Sequence, residues 1–381
     1  MSKVRFGIVG FGNIGQTHAD NLLDGQVSDA ALTGVVTKSE RAIPESVGRY
    51  QDIAEMLAAD SVDAVIIATP TMDHLQSGTA VLEAGLGLVM EKPIAMSLGD
   101  ATRLVKNVPD QTTAAVMLNQ RYDPAYQRIK TILASGELGS LTRFSWVMTS
   151  WYRPDVYFLV SSWRGAWLGE GGGALINQCI HNIDILQWPL GMPDSLIAEA
   201  KFGKYHDIEV EDEVTALLSY ENGLSGVLVA STGEVPGRNF LEIVGDRASL
   251  NFDGVKIVVA SSDQSIAEHC RTTKEMFGAP EVTHREEADL NRSTVNQHAS
   301  VLSNVAATIN GKEELKTPLS AGLESVELAN AILLAAWQDT RINLPLDPEA
   351  YQVELHRRQR ESALREPSDI DVQVDMDSSY R

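Results

Sequence analysis

Cysteine is almost absent from this chain: only Cys179 and Cys270 occur in 381 residues, too few for a disulfide framework and without a C-x-x-C metal pair. A reducing, cytoplasmic compartment is expected on that account. Cys179 lies two residues from His181, but on a helix such neighbours diverge by ~200°, so packing rather than a thiol nucleophile is expected. Positive charge is also scarce. Lys plus Arg number 31 against 52 Asp plus Glu, a formal charge of -21, which repels phosphate backbones and anionic lipid and argues against nucleic acid or a membrane as partner. No apolar run is expected to reach the ~20 residues of a membrane span. Met1-Ser2-Lys3 leads straight into strand-like Val4 to Val9, so no secretory leader is expected.

What is present reads as an α/β protein. At 381 residues the chain exceeds the roughly 250 to 300 residues at which single cores stop growing, so two domains are expected. The first third alternates β-branched runs (4–9, 32–36, 64–68, 88–90, 113–118) with helical stretches (15–23, 52–59, 72–84), the pattern of a doubly wound parallel sheet. Near Asn119 to Tyr122 the character changes. Pro124 opens an amphipathic helix to about Ser135, strand-like Leu141 to Thr149 follows, and alternating segments at 214–220, 225–231 and 240–244 predict a largely antiparallel sheet. Helices are expected at about 294–309 and 323–337, with a polar helix after Pro345 and an acidic tail, Pro367 to Arg381, that has little to bury and reads as mobile or partner-dependent. The division expected is a dinucleotide domain at 1–122, a substrate and oligomerisation domain at 123–347, and a helix with acidic tail at 348–381.

Gly10-Phe11-Gly12-Asn13-Ile14-Gly15 matches G-x-G-x-x-G between a strand and a helix, where glycines let backbone N–H groups approach a pyrophosphate and the helix N-terminus favours its charge. The second strand ends in Thr37-Lys38-Ser39-Glu40-Arg41. No acid stands at Thr37 to pair with a ribose 2'-hydroxyl, whereas Lys38, Ser39 and Arg41 suit a 2'-phosphate, so NADP is favoured over NAD. Thr69, Pro70 and Thr71 end the third strand at the ligand-facing edge of such a sheet, and His74 follows as a structural hydrogen-bonder or cofactor neighbour. Glu91-Lys92-Pro93 falls at the next strand end, placing a lysine where it can donate to an alcohol oxygen. Asn177, His181 and Asp184 are spaced i, i+4 and i+7, so on a helix they would share one face and present a polar row to a ligand. The preceding Gly171, Gly172 and Gly173 would let a flat ring approach the backbone. Two candidate ligands, His181 and Asp184, do not make a metal site.

In order and spacing, the Gly10 to Gly15 fingerprint, Ala68-Thr69-Pro70, Glu91-Lys92-Pro93-Ile94-Ala95 and the Gly171 to Asp184 cluster resemble the Gfo/Idh/MocA family, the glucose-fructose oxidoreductase and inositol dehydrogenase relatives. The likeness continues through Asn119 to Pro124, Trp163-Arg164-Gly165 and Val326 to Ala331. It implies a Rossmann domain followed by an α/β domain with a large, open, mostly antiparallel sheet that often forms the contact of a homodimer or homotetramer. It further implies NAD or NADP bound between them and a small carbohydrate substrate, a sugar or cyclitol. The family's catalytic lysine falls on Lys92 and its catalytic histidine on His181; Asp184 matches the helix acid, and Gln120, Trp163 and Arg164 fall among positions that line cofactor and substrate. Glu91 counts with the cofactor contacts, and Arg121, Tyr152, Arg153 and Asn177 are candidates for recognising hydroxyls or a carboxylate. Two positions depart from the pattern: Asn177 stands where inositol dehydrogenase-like members often carry aspartate, and Thr71 where many relatives have asparagine. Hydride transfer to or from a secondary alcohol is the expected activity. Relatives also include enzymes that cleave glycosides through a transient keto-sugar and non-catalytic sugar sensors.

Overall fold

The structure, a computed structural model, describes residues 3–374. Six short strands, β1 (Val4–Val9), β2 (Ala30–Val36), β3 (Gly48–Tyr50), β4 (Ala64–Ile67), β5 (Gly87–Met90) and β6 (Ala114–Val116), form one parallel sheet in the order β3-β2-β1-β4-β5-β6. Their apolar runs are buried on both faces, with every residue of β4 and β5 inside, as a parallel sheet covered by helices requires. Phe6 and Ile8 are wholly buried, and each such side chain contributes about 2 kcal/mol of transfer free energy. One covering helix comes from far along the chain: Gln297–Ile309 places Val301, Leu302 and Val305 in the same cluster as Phe6, Ile8 and Val89.

Nine further strands make the second sheet. They are β7 (Leu141–Met148), β8 (Ser195–Phe202), β9 (Glu211–Ser219), β10 (Ser225–Ser231), β11 (Asn239–Gly245), β12 (Ala248–Phe252), β13 (Ile257–Ser262), β14 (Val282–Glu287) and β15 (Ile342–Asn343), ordered β14-β13-β12-β11-β7-β10-β9-β8-β15. All neighbours are antiparallel except β7 and β10. The inner face packs on helices Ile180–Leu190 and Leu323–Gln338 around Trp146, Phe144 and Leu328. Residues alternate between this core and the outer face, as in β9 with Leu218 buried and Leu217 exposed.

Three expectations change. Leu319–Gln338 is long and apolar enough, by length and composition, to cross a membrane, against the expected absence of such a run. Of its most apolar window 67% is buried in the fold, the setting of a core helix. Strand β3 and the helix Leu98–Lys106 were not anticipated; the first is too short to show a period, and the second is opened by Ser97 accepting from Asp100 N–H at 3.2 Å. Finally, the start of the acidic tail is tied to the fold, because Ser368 N–H donates to Leu159 O at 2.8 Å, just after Arg365 N–H donates to Ser162 O at 3.2 Å. Asp375 and Asp377 lie outside the described residues.

Candidate active site

The fingerprint forms the turn its glycines allow. Gly10 has φ +93°, and a Cβ there would lie 2.6 Å from Ala68 O, while one on Gly15 would lie 2.1 Å from Gly10 O. A Cβ on Gly12 would meet nothing within 4 Å, so this residue faces open space at the start of helix Asn13–Leu23. No side chain caps that helix, leaving its first N–H groups to an anion. Phe11 is buried beneath the turn. A dinucleotide pyrophosphate fits this cradle.

At the end of β2, Thr37 is buried with its Oγ1 accepting from Ser39 N–H at 2.9 Å, and Lys38 is exposed. Arg41 reaches back to the fingerprint helix, donating to Gln16 Oε1 at 2.9 Å and Asn13 Oδ1 at 3.4 Å. Arg49 on β3 donates to Ser39 O at 2.6 Å and so brings a second guanidinium to the same loop. Sequence reading missed it along with its strand.

Two loops meet beside this cradle. His74 has Nδ1 2.8 Å from Pro93 O and Nε2 3.0 Å from Thr69 O; both ring nitrogens face main-chain oxygens, which makes it the structural hydrogen-bonder of its two readings. Thr69 Oγ1 and Gln120 Oε1 are buried without a partner among the described residues, and Thr71, two residues after Thr69, is buried as well. Glu91 is not a surface for the cofactor. Its Oε1 lies 2.7 Å from His18 Nε2 and its Oε2 accepts from Lys92 N–H at 3.1 Å. Burial pushes this carboxyl up, but the His18 bond and the charges of His18, His298 and Lys92 prevail and hold it at about 2. It braces the lysine loop.

Lys92 Nζ donates to Asn177 O at 2.9 Å, joining the parallel sheet to the glycine-rich segment. Desolvation draws its ammonium below the ordinary range, Glu91 and Glu170 oppose this, and Arg153 and Arg164 add to it. His181 is buried, with Nδ1 lacking a partner among the described residues. Burial and then the Lys92 charge hold its imidazole well below the usual range. It is neutral at pH 7.

The expected helical row is broken. Ala174–Gln178 forms a wide turn, with Cys179 N–H bonded to Ala174 O at 2.7 Å, and the α-helix begins only at Ile180. Asn177 therefore sits in the turn before the helix that carries His181, and its side chain bonds Glu170 and Tyr157. Asp184 is not offered to a ligand either. Arg121 clamps it through Nε and Nη2 at 2.8 and 2.7 Å, with Gln187 Nε2 at 3.0 Å and Ser325 Oγ at 3.3 Å. Both partners are buried, which removes Arg121 and Asp184 from substrate recognition and makes them a strut. The three glycines serve packing rather than an approaching ring, since Cβ atoms on Gly171, Gly172 and Gly173 would meet Met96, Ile176 and Glu211 O. Cys179 is buried and its thiol is pushed up by burial, as the packing reading expects.

The other wall was seen only in part from sequence. Arg164 lies 4.2 Å from the Tyr157 ring centroid and 5.1 Å from that of Trp163, and Arg153 lies 5.1 Å from Tyr157. Tyr157 thus stands between two guanidinium groups. Its hydroxyl accepts from Asn177 Nδ2 and from Gln178 Nε2, both at 3.2 Å. Glu170, directly before the glycines, accepts from Gly165 N–H at 2.7 Å and from Asn177 Nδ2; burial pushes its carboxyl up to about 7 against these bonds and the charges of Arg164 and Lys92. Tyr152 is 47% exposed. Among the described residues no group of three or more His, Cys, Asp or Glu side chains could hold a metal ion.

Comparison with known proteins places the fold in a family. Residues 4–119 match the oxidoreductase family with an NAD-binding Rossmann fold, and residues 126–251 match the GFO/IDH/MocA C-terminal domain. The chain belongs to the Gfo/Idh/MocA family. It is thus an NAD-binding oxidoreductase in fold and family, as the motifs predict. Among the relatives, the myo-inositol 2-dehydrogenase of Thermotoga maritima is 25% identical over 285 residues, 68% of this chain and 79% of that one. The WlbA dehydrogenase of Bordetella pertussis, solved with NADH and UDP-GlcNAcA, superposes with a TM-score of 0.77 at 26% identity, covering 91% of this chain and 99% of that one. Levoglucosan dehydrogenase, solved with NADH and levoglucosan, shares the fold with a TM-score of 0.74 at 18% identity, over 91% of this chain and all of that one (100%).

Proposed function

We propose that the protein catalyses reversible hydride transfer between a nicotinamide cofactor and a secondary alcohol of a sugar, sugar derivative or cyclitol. The reading rests on Lys92, whose Nζ is 2.9 Å from Asn177 O, and on buried His181, whose imidazole is lowered by burial and by the Lys92 charge and whose Nδ1 has no partner among the described residues. NAD(P), held by Gly10, Gly12, Gly15 and the first turn after them, would supply the hydride chemistry when bound. Lys92 uses one ammonium proton on Asn177 O and keeps two to hydrogen-bond the substrate oxygen, stabilising the alkoxide charge that develops on oxidation. His181 takes the hydroxyl proton in that direction and returns it on reduction. The names of the inositol, levoglucosan and UDP-sugar relatives support a carbohydrate substrate.

NADP is the preferred cofactor in this reading. Thr37 offers no carboxylate to a 2'-hydroxyl, while Lys38, Ser39 and Arg41, joined by Arg49, gather donors at the same loop.

The test is a panel of inositols, hexoses, uronic acids and nucleotide sugars followed at the reduced-nicotinamide absorbance band, with the copurified cofactor identified by mass spectrometry. At least one compound is turned over, with kcat/KM higher for NADP. Lys92→Met keeps the length and removes the donor, so kcat falls by about 10² or more while cofactor affinity and Tm change little. A folded, cofactor-loaded Lys92→Met protein within about threefold of wild type sinks this mechanism, and a clear preference for NAD overturns the cofactor assignment.

A further inference from the structure

Asn177 stands where a carboxylate would offer a substrate hydroxyl two acceptor oxygens; an amide offers one, and only if it is turned the right way. Its orientation is decided by Glu170. The Glu170 carboxylate already takes Gly165 N–H on Oε2 at 2.7 Å, and its Oε1 faces the Asn177 amide. Facing the ionised form of Glu170, only the Nδ2 group can be satisfied there. The second Nδ2 proton goes to the Tyr157 hydroxyl at 3.2 Å. Both amide donors are therefore used, and among the described residues Asn177 Oδ1 accepts nothing. Tyr157 carries the complementary pattern: its oxygen accepts from Asn177 and from Gln178, so its own proton is the group left to give.

Resting on the proposed alcohol chemistry, we propose that Glu170 is a positioning residue that locks Asn177 so that Asn177 Oδ1 and the Tyr157 O–H form an acceptor–donor pair for a substrate hydroxyl next to the reacting carbon. The pair lies beside the reaction centre because the Asn177 main-chain oxygen is the group that holds Lys92 Nζ. Glu170 is buried at 1% exposure and its charge is felt at Lys92. A carboxylate pushed up to about 7 by its burial is retained at a desolvation cost that a neutral side chain would avoid, which fits a positioning role. Asn177 thereby acts as the acceptor that aspartate would be, without adding a second negative charge beside Lys92.

Polarity exchange tests this. Glu170→Gln must turn its N–H groups toward either Gly165 N–H or Asn177 Nδ2, and Asn177→Asp sets two carboxylates face to face; each lowers kcat/KM on the best panel substrate by about 30-fold. In the double variant, Glu170→Gln with Asn177→Asp, the introduced amide accepts from Gly165 N–H and donates to the introduced carboxylate. The bond between the two side chains is restored with reversed polarity and the same net charge, but the introduced carboxylate now accepts the Tyr157 proton, so kcat/KM stays low. Tyr157→Phe raises KM more than it lowers kcat and weakens discrimination against a substrate lacking the adjacent hydroxyl. The same cycle is read in Tm on protein without substrate, where the double variant recovers what either single variant loses. If wild type turns over a sugar but Glu170→Gln keeps kcat/KM within about threefold of wild type, the positioning role is overturned while the proposed function stands. If wild type turns over nothing in the panel, the proposed function falls, and an additive Tm cycle overturns the pairing independently.

Discussion

His298 shows how a single side chain near the site contributes to the behaviour of the protein with pH. Its ring centroid is 5.6 Å from that of His18. Burial, reinforced by the His18 charge and opposed by Glu91, lowers its imidazole to about 4. The unfolded chain protonates this residue near pH 6.5 while the native protein resists, so its neutral form contributes stability that is complete above pH 6.5 and is lost as pH falls to about 4. Replacing His298 by Gln removes that part of the slope, measured as Tm against pH between 4 and 7. An unchanged slope would show that other groups carry the acid response. The candidate residues of the site divide along the same physical line. Lys92 and His181 came forward as candidates from the sequence because their chemistry is local and their neighbours form motifs. Asp184 and Arg121 were misread because only packing reveals that a carboxylate and a guanidinium from distant segments satisfy each other.

Among the elements, the wide turn Ala174–Gln178 and the strut beside it decide where the site residues point. A sequence read at 3.6 residues per turn puts Asn177 and His181 on one α-helix; the structure puts Asn177 in the wide turn before it, where its side chain bonds Glu170 and Tyr157. The acid before the glycine run was a readable signal, since a glutamate at a tight, buried turn needs N–H partners, but the sequence could not say which side chain it would hold. Helix Ile180–Leu190 is fastened to the 119–122 segment by Arg121 and Asp184. Arg121→Met leaves a buried carboxylate without its cation, and breaking such a pair costs about 3 kcal/mol. Urea denaturation is expected to show a loss of that order in Arg121→Met and a smaller one in the matched Arg121→Met, Asp184→Leu pair. A pair as unstable as the single variant would mean that the strut does not act through its charge.

Across the whole molecule, the outer face of the nine-stranded sheet remains to be covered. Ile197 and Leu217 are cross-strand neighbours on it at 37% and 48% exposure, with Phe240 and Val282 exposed further along. An apolar sheet face of this kind is expected to close against a second copy, giving a dimer or tetramer at micromolar concentration. Light scattering checks this: Leu217→Asp shifts the assembly toward monomer, and a wild-type protein that is only monomeric contradicts it. The amino-acid sequence alone determined the family, the parallel sheet with its fingerprint and the antiparallel character of the second sheet, and it brought Lys92 and His181 forward as candidates, because each depends on short periodicities and contiguous motifs. Only the tertiary structure decided that Gln297–Ile309 returns to the first sheet, that Asp184 is spent on Arg121, and that Glu170, Asn177 and Tyr157 form one hydrogen-bonded group. These depend on contacts between residues distant in sequence or on the exact turn between neighbours, and a local pattern of residue types contains neither.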